Sequence, residues 1–298
     1  MNEIVVTEGL SKDYGKLHAL TDVSLAVPRG ALFGLLGANG AGKTTMLDLL
    51  LNLQEPTRGK ARVLGTDSRR LRGPDFTRIG YVSESQRGPR DMRLGYFFNY
   101  LKPFYPNWDD DRAAELLDRY CLPLDRRIRA LSRGMWMKAC LASSLAYRPE
   151  LLVLDEPFSG LDVESREELS QTLVEAAEET TVVISTHDHG EIESFITHIA
   201  VLSEGRLAFA EEMAHFVRRI REVVVTLEHP FVPDPWPSHW ICPESSASVT
   251  RFIDTGFDDE RSEREIAERF EGVRDISAQP MPLRSILLAL SRSQRIAA

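Results

Sequence analysis

Gly37-Ala38-Asn39-Gly40-Ala41-Gly42-Lys43-Thr44 fits the phosphate-binding pattern G-x-x-x-x-G-K-[ST], the P-loop. An apolar, strand-like run over residues 31–36 enters it, and a helical pattern over residues 45–53 leaves it. Three glycines let the backbone turn tightly, so that successive N–H groups form a concave nest for phosphate oxygens. The helix that follows adds its positive N-terminal end. Lys43 is expected to reach the β- and γ-phosphates and Thr44 to place its hydroxyl on Mg²⁺, with Thr45 beside it. The stretch points to a nucleoside triphosphate held on an α/β scaffold.

Leu151-Leu152-Val153-Leu154-Asp155-Glu156 is a short apolar run ending in two carboxylates. A strand buried on both faces reads this way where its acidic end emerges at the C-terminal edge of a parallel sheet. Asp155 is expected to hold Mg²⁺ through water, and Glu156 to act as general base toward an attacking water. Its place about 110 residues beyond the P-loop, with Pro157 and Ser159-Gly160-Leu161-Asp162 next, sharpens an otherwise weak signal.

Together with these motifs, Leu131-Ser132-Arg133-Gly134-Met135 and Ser185-Thr186-His187-Asp188 make residues 3–215 resemble the ATP-binding subunits of ABC transporters. The resemblance implies a P-loop ATPase fold with a β-rich subdomain and a helical insertion at about residues 87–147. It implies that Tyr14 stacks on adenine, that Asp162 belongs to the D-loop, and that His187 is the switch histidine at the γ-phosphate. The segment at 131–135 stands where the family has Leu-Ser-Gly-Gly-Gln and is presented to the ATP of a second protomer. Ser132 is a plausible N-cap, and Gly134 permits close backbone approach, while Arg133 replaces a glycine and Met135 the glutamine. This variant, and the segment Phe104-Tyr105-Pro106-Asn107-Trp108-Asp109, look like the bacterial exporter-type branch. A gapless reading from Ile79-Gly80-Tyr81-Val82 puts Glu84 in the column of the family's coupling glutamine, with Gln86 two residues later. Either could contact Mg²⁺ through oxygen.

Composition agrees with this reading. The chain has 298 residues, 43% of them hydrophobic, which leaves room for one large domain and a smaller one. No apolar stretch approaches the roughly 18 residues that span a bilayer, and no secretory leader is expected from the N-terminal residues. Membrane association would therefore come from integral permease subunits, at the cytoplasmic face of the membrane, as the resemblance implies. A net charge of −9 argues against general nucleic-acid binding, and three scattered cysteines show no metal-ligand spacing. One P-loop per chain implies a dimer, either with itself or with a related ATPase. From residue 216 the pattern changes to strand-like runs at 223–227 and 248–253, a proline-rich stretch at 229–237 and helical patterns at 266–270 and 283–290. A small α+β accessory domain over residues 216–298 is expected.

Two rival functions belong to other classes. A DNA- or ribosome-acting ABC ATPase usually carries a long coiled-coil insertion or two nucleotide domains in one chain, and neither is present in this sequence. A regulatory nucleotide-binding module requires that Arg133 and Met135 disable the signature.

Overall fold

The computed structural model describes residues 2–296; Met1, Ala297 and Ala298, which the expected domain spans include, lie outside the described residues. The chain forms two compact units that divide between Ala210 and Glu211, and the expected boundary at 215/216 falls inside a helix, Met213–Arg219.

In chain order the first unit comprises β1 (Glu3–Tyr14), β2 (Leu17–Pro28), β3 (Leu32–Leu36), α1 (Lys43–Leu50), β4 (Arg58–Val63), β5 (Thr66–Asp67), α2 (Gly73–Phe76) and β6 (Ile79–Ser83). There follow α3 (Leu94–Leu101), α4 (Asp110–Arg119), α5 (Arg133–Leu145), β7 (Leu151–Asp155), α6 (Val163–Ala176), β8 (Thr181–Thr186), β9 (His198–Ser203) and β10 (Arg206–Glu212).

Two sheets result. The order β2-β1-β4-β5 is antiparallel, and β2 alternates buried and exposed positions because one face lies on the core. The second sheet runs β10-β9-β3-β8-β7-β6, with β3, β6, β7, β8 and β9 parallel. Every residue of β3, β7 and β8 is buried, so β3 and β7 read as near-continuous apolar runs without alternation, while β8 has its apolar centre, Val182-Val183-Ile184, between buried hydroxyl residues. Val5, Val27, Phe33, Leu47, Val153 and Leu202 share one core, so both sheets and α1 are packed together. The hairpin of β9 and β10 turns at Glu204-Gly205, both at positive φ.

The segment expected to be helical holds α3, α4 and α5. Its aromatic run is packed in part: Tyr105 stacks on Tyr147 at 3.9 Å between ring centres and Trp108 meets Phe98 edge-on at 6.0 Å, while Phe104 is exposed.

The second unit comprises α7 (Met213–Arg219), β11 (Arg221–Leu227), β12 (Trp240–Ser246), β13 (Val249–Asp254), α8 (Asp259–Arg269), β14 (Val273–Pro280) and α9 (Leu283–Ile296). Its antiparallel sheet runs β12-β13-β11-β14, over a core of Val223, Val225, Trp240, Phe252, Ile266 and Phe270.

Candidate functional site

Parallel pairing aligns the strand ends that carry the chemistry. Leu36 of β3 pairs with Thr186 of β8, and Asp155 of β7 pairs with both Ser185 of β8 and Ser83 of β6. The loops leaving these strands open at one edge of the sheet, the usual crevice of an open α/β fold.

The P-loop turns from β3 into α1 through Gly42, whose φ of 103° an L-residue rarely adopts. A Cβ there would stand 2.7 Å from the Ala19 carbonyl oxygen, so this position needs glycine twice over. Lys43 follows and is buried, its ammonium donating to the Gly37 carbonyl at 2.7 Å and the Ala38 carbonyl at 3.4 Å. It also lies 3.1 Å from Glu156 Oε1. Thr44 Oγ1 donates to Asp155 Oδ2 at 2.9 Å, while Ala38, Asn39 and Gly40 are exposed and Gly37 and Ala41 buried.

Asp155 and Glu156 are neighbours with different surroundings. Asp155 ends the strand, 8% exposed, and accepts hydrogen bonds from the hydroxyls of Thr44 and Ser185. It makes no ion pair among the described residues. Glu156 turns into the left-handed region at φ 51°, uncommon for a residue with a side chain and costing of order 1–3 kcal/mol. Its amide is held by the hydroxyl (3.2 Å) and carbonyl (3.1 Å) of Ser185. The turn sends its carboxylate away from Asp155, to Lys43 on one oxygen and to His187 Nδ1 at 2.8 Å on the other. One sheet edge thus gathers a cation, two carboxylates in distinct roles, a hydroxyl and a half-exposed imidazole.

The residues expected from the signature and D-loop form a second group. Ser132 caps α5, its hydroxyl accepting from the Met135 amide at 3.1 Å, as its place before the helix predicts. Asp162 likewise caps α6 by accepting from the Ser165 amide, and that hydrogen bond holds its carboxyl below the usual range. A Cβ on Gly134 would meet only ordinary contacts at 3.5 Å, so nothing within this chain requires glycine there. Tyr14 ends β1 with its ring exposed and the Lys12 ammonium 5.0 Å from the ring centre. No hydrogen bond or ion pair joins Tyr14, Ser132 or Asp162 to the Lys43 group among the described residues.

Glu84 and Gln86 follow β6. The Glu84 amide donates to the Asp155 carbonyl at 3.0 Å, but its carboxylate engages Arg133 and Ser159. Gln86 accepts from the Ser83 amide through its side chain at 3.4 Å and from Trp136 Nε1 through its carbonyl at 2.9 Å. The sequence places Ser185 in the motif before His187 without a role of its own; in the structure it braces Asp155 with its hydroxyl and Glu156 with hydroxyl and carbonyl. Its signal is a buried Ser-Thr pair after Val182-Val183-Ile184, at the end of a strand.

The donor set fits Mg²⁺. Thr44 and Asp155 offer hard oxygens already within hydrogen-bond distance, and the buried Asp155 carboxylate carries no compensating cation.

A family model described as "ABC transporter" matches residues 20–159. The chain is 32% identical to the bacitracin transport ATP-binding protein BcrA of Enterococcus faecalis, over 74% of this chain and 73% of that protein. It is 33% identical to the sulfate/thiosulfate import ATP-binding protein CysA of Escherichia coli K12, over 68% of this chain and 58% of that one. With the daunorubicin/doxorubicin resistance ATP-binding protein DrrA of Streptomyces peucetius it shares 35% identity over 68% of this chain and 63% of that protein. Against two of these relatives, then, the chain spans about three fifths of their length. A solved ATP-binding subunit of an ABC transporter superposes with a TM-score of 0.66 at 26% identity, covering 72% of this chain and 92% of that one. The dimeric ATP-binding cassette MJ0796 bound to ADP and phosphate gives 0.61 at 25% identity, over 70% and 98%. Because the bacitracin relative is matched over most of its own length, this chain belongs to the ABC transporter family, as one of its ATP-binding, ATP-hydrolysing subunits.

Proposed function

We propose that the chain is the motor of a transporter that works in the direction of export, binding ATP–Mg²⁺ at Lys43–Thr44 and hydrolysing it with Glu156 as general base. The observation that carries this reading is the convergence of Lys43, Thr44, Asp155, Glu156 and His187 on one sheet edge, with the two carboxylates held apart by the left-handed turn at Glu156. Thr44 and Asp155 would hold Mg²⁺, which, once bound, supplies positive charge that steadies the phosphate oxygens. Lys43 adds its ammonium to the same oxygens. Glu156 accepts a proton from the attacking water, and His187, bonded to Oε2, keeps the carboxylate aimed.

One nucleotide site per chain, with Ser132 capping a helix apart from it, supports a head-to-tail dimer in which Ser132 and Gly134 complete the partner's site and Tyr14 carries the adenine. Among the described residues no helix is long and apolar enough to cross a membrane; the names of the relatives as ATP-binding proteins of transporters support permease subunits that hold the motor at the cytoplasmic face of the membrane. Export is supported by the resemblance at 104–109 and 131–135 and by the drug-resistance name of one relative. No observation favours the DNA- or ribosome-acting alternative, nor a regulatory module.

The test is purification of tagged Glu156→Gln from gently solubilised membranes with ATP–Mg²⁺. A stoichiometric multi-span membrane protein is expected to accompany it. Recovery of ribosomes, of DNA-associated proteins or of the bare chain alone overturns the transporter role.

A further inference from the structure

Two residues that depart in charge from the family pattern meet in this structure. Arg133, in place of a signature glycine, pairs through Nη2 with Glu84, which a gapless reading puts in the column of the coupling glutamine, with Gln86 two residues later. The same nitrogen donates to Ser159 Oγ at 3.3 Å, and that hydroxyl donates to Glu84 Oε1 at 3.2 Å. The guanidinium lies over Gly160, where a Cβ would stand 2.9 Å from Nη1 and 3.2 Å from Cζ, on a backbone at φ 69°. A glycine in the turn thus leaves the room that the arginine occupies.

Each anchor of this clamp is one backbone hydrogen bond from the paired carboxylates. The Glu84 amide donates to the Asp155 carbonyl at 3.0 Å, and the Ser159 amide to the Glu156 carbonyl at 3.2 Å. On its other side Arg133 opens α5, next to the cap residue Ser132, which holds the amides of Met135 and Trp136. The pair is too exposed, at 47% and 41%, to contribute much to stability. Its geometry joins three segments through one guanidinium nitrogen, whose two N–H donors reach a carboxylate and a hydroxyl together.

We propose that Arg133 is a positioning residue that couples the nucleotide carboxylates of one chain to the segment this same chain presents to its partner's nucleotide. The inference rests on the motor reading above. When ATP–Mg²⁺ engages Thr44 and Asp155, the backbone bonds from Glu84 and Ser159 carry the shift to Arg133, and Arg133 carries it to Ser132 and the first turn of α5. On the gapless reading, the opposite charges at 84 and 133 stand, within one chain, where the family pattern has uncharged residues.

The test is hydrogen exchange in the full chain at a concentration where sedimentation shows a monomer, with and without ATP–Mg²⁺, alongside steady-state turnover at high concentration. In the wild type, nucleotide is expected to protect the P-loop amides and to slow exchange at Met135 and Trp136 about fivefold or more, the low end for coupled sites. Arg133→Ala should keep the P-loop protection, lose the response in α5, and lower kcat about fivefold or more with KM little changed. Arg133→Glu, facing Glu84, should do the same, and the double exchange Glu84→Arg with Arg133→Glu should regain both the response and kcat. An undiminished response in Arg133→Ala, or a double exchange no better than the single variants, overturns the coupling while the P-loop signal leaves the motor reading standing. Absence of P-loop protection in the wild type overturns that reading and the coupling with it.

Discussion

Glu156→Gln separates the chemical role of this carboxylate from its structural one, and the structure sets the size of each. The side chain is 14% exposed, with Lys43 at 3.1 Å and His187 at 2.8 Å. The amide has nearly the same shape, and its oxygen still accepts one hydrogen bond. Lys43 keeps the carbonyls of Gly37 and Ala38, so its ammonium is not stranded. What is lost is one charge-assisted hydrogen bond, about 1.5–3 kcal/mol. A domain of ordinary stability, about 5–15 kcal/mol, remains folded after that loss. Removal of a general base costs about 10²–10⁴ in rate, or roughly 3–5 kcal/mol of barrier at 1.36 kcal/mol per tenfold. ATP binding should be kept or tightened, because a negative charge leaves the neighbourhood of the phosphates. The assays are phosphate release at saturating ATP–Mg²⁺, nucleotide titration by fluorescence, and urea unfolding on the same preparation. Turnover within about threefold of wild type, with binding and stability intact, would refute the assignment of Glu156 as base.

Three further substitutions bear on the same site and its support. Lys43→Ala removes the ammonium from the P-loop and leaves Glu156 without its cation, so ATP affinity should fall at least tenfold to hundredfold, from about 1.5–3 kcal/mol per charge-assisted bond, in the same titration. Gly42→Ala forces a side chain into φ 103° and 2.7 Å from the Ala19 carbonyl, where strain of about 1–3 kcal/mol and crowding of a similar size should lower the urea midpoint; an unchanged midpoint contradicts the geometry of the loop. Glu150 is held below the usual carboxylate range by Arg78, bonded at 2.5 Å, and by Arg29 at 2.9 Å. A carboxylate depressed in the folded state contributes stability above its unfolded value of 4.5 and loses it as the pH falls. Glu150→Gln should therefore unfold at lower urea than wild type at pH 7, and the two midpoints should converge toward pH 3.

Most of the first unit's central sheet is legible because burial on both faces leaves its mark on composition. β3 and β7 hold almost nothing but apolar residues up to Asp155, and β8 keeps an apolar centre, Val182-Val183-Ile184, between buried hydroxyl residues, with Asp155 and Thr186 falling at the sheet edge. The antiparallel partners of β1 are less legible. β4 has four exposed positions in six, and its Arg-Gly-Lys opening hides a strand whose register on β1 is set by pairing rather than pattern. In the second unit β11 declares itself as Val223-Val224-Val225, while its neighbour β14 is mostly exposed and polar, an edge strand with no alternation to read. Local sequence gives strands that bury a face and conceals those that exist because a neighbour offers them hydrogen bonds.

The site divides along the same line. Lys43 and Thr44 open a helix after the loop that leaves a strand, and Asp155, Glu156 and His187 sit where a strand ends; residue type and chain position together dictate the chemistry there, and the structure gathers these residues within hydrogen-bond distance. Ser185, Glu84 and Arg133 act through contacts between segments 26 to 75 residues apart, which no spacing along the chain announces. The pairing of Glu84 with Arg133 has a consequence for how variant motifs are weighed. Taken singly, an arginine in the signature is a loss of a glycine's close approach, and a glutamate in the glutamine column is an added negative charge near bound phosphate. Taken together they neutralise each other over Gly160, with Ser159 as the third member. Neither residue can then be judged by its own column, because the physical unit that must be kept is the charge-paired contact. A change at one position should be tolerated only when the other position answers it.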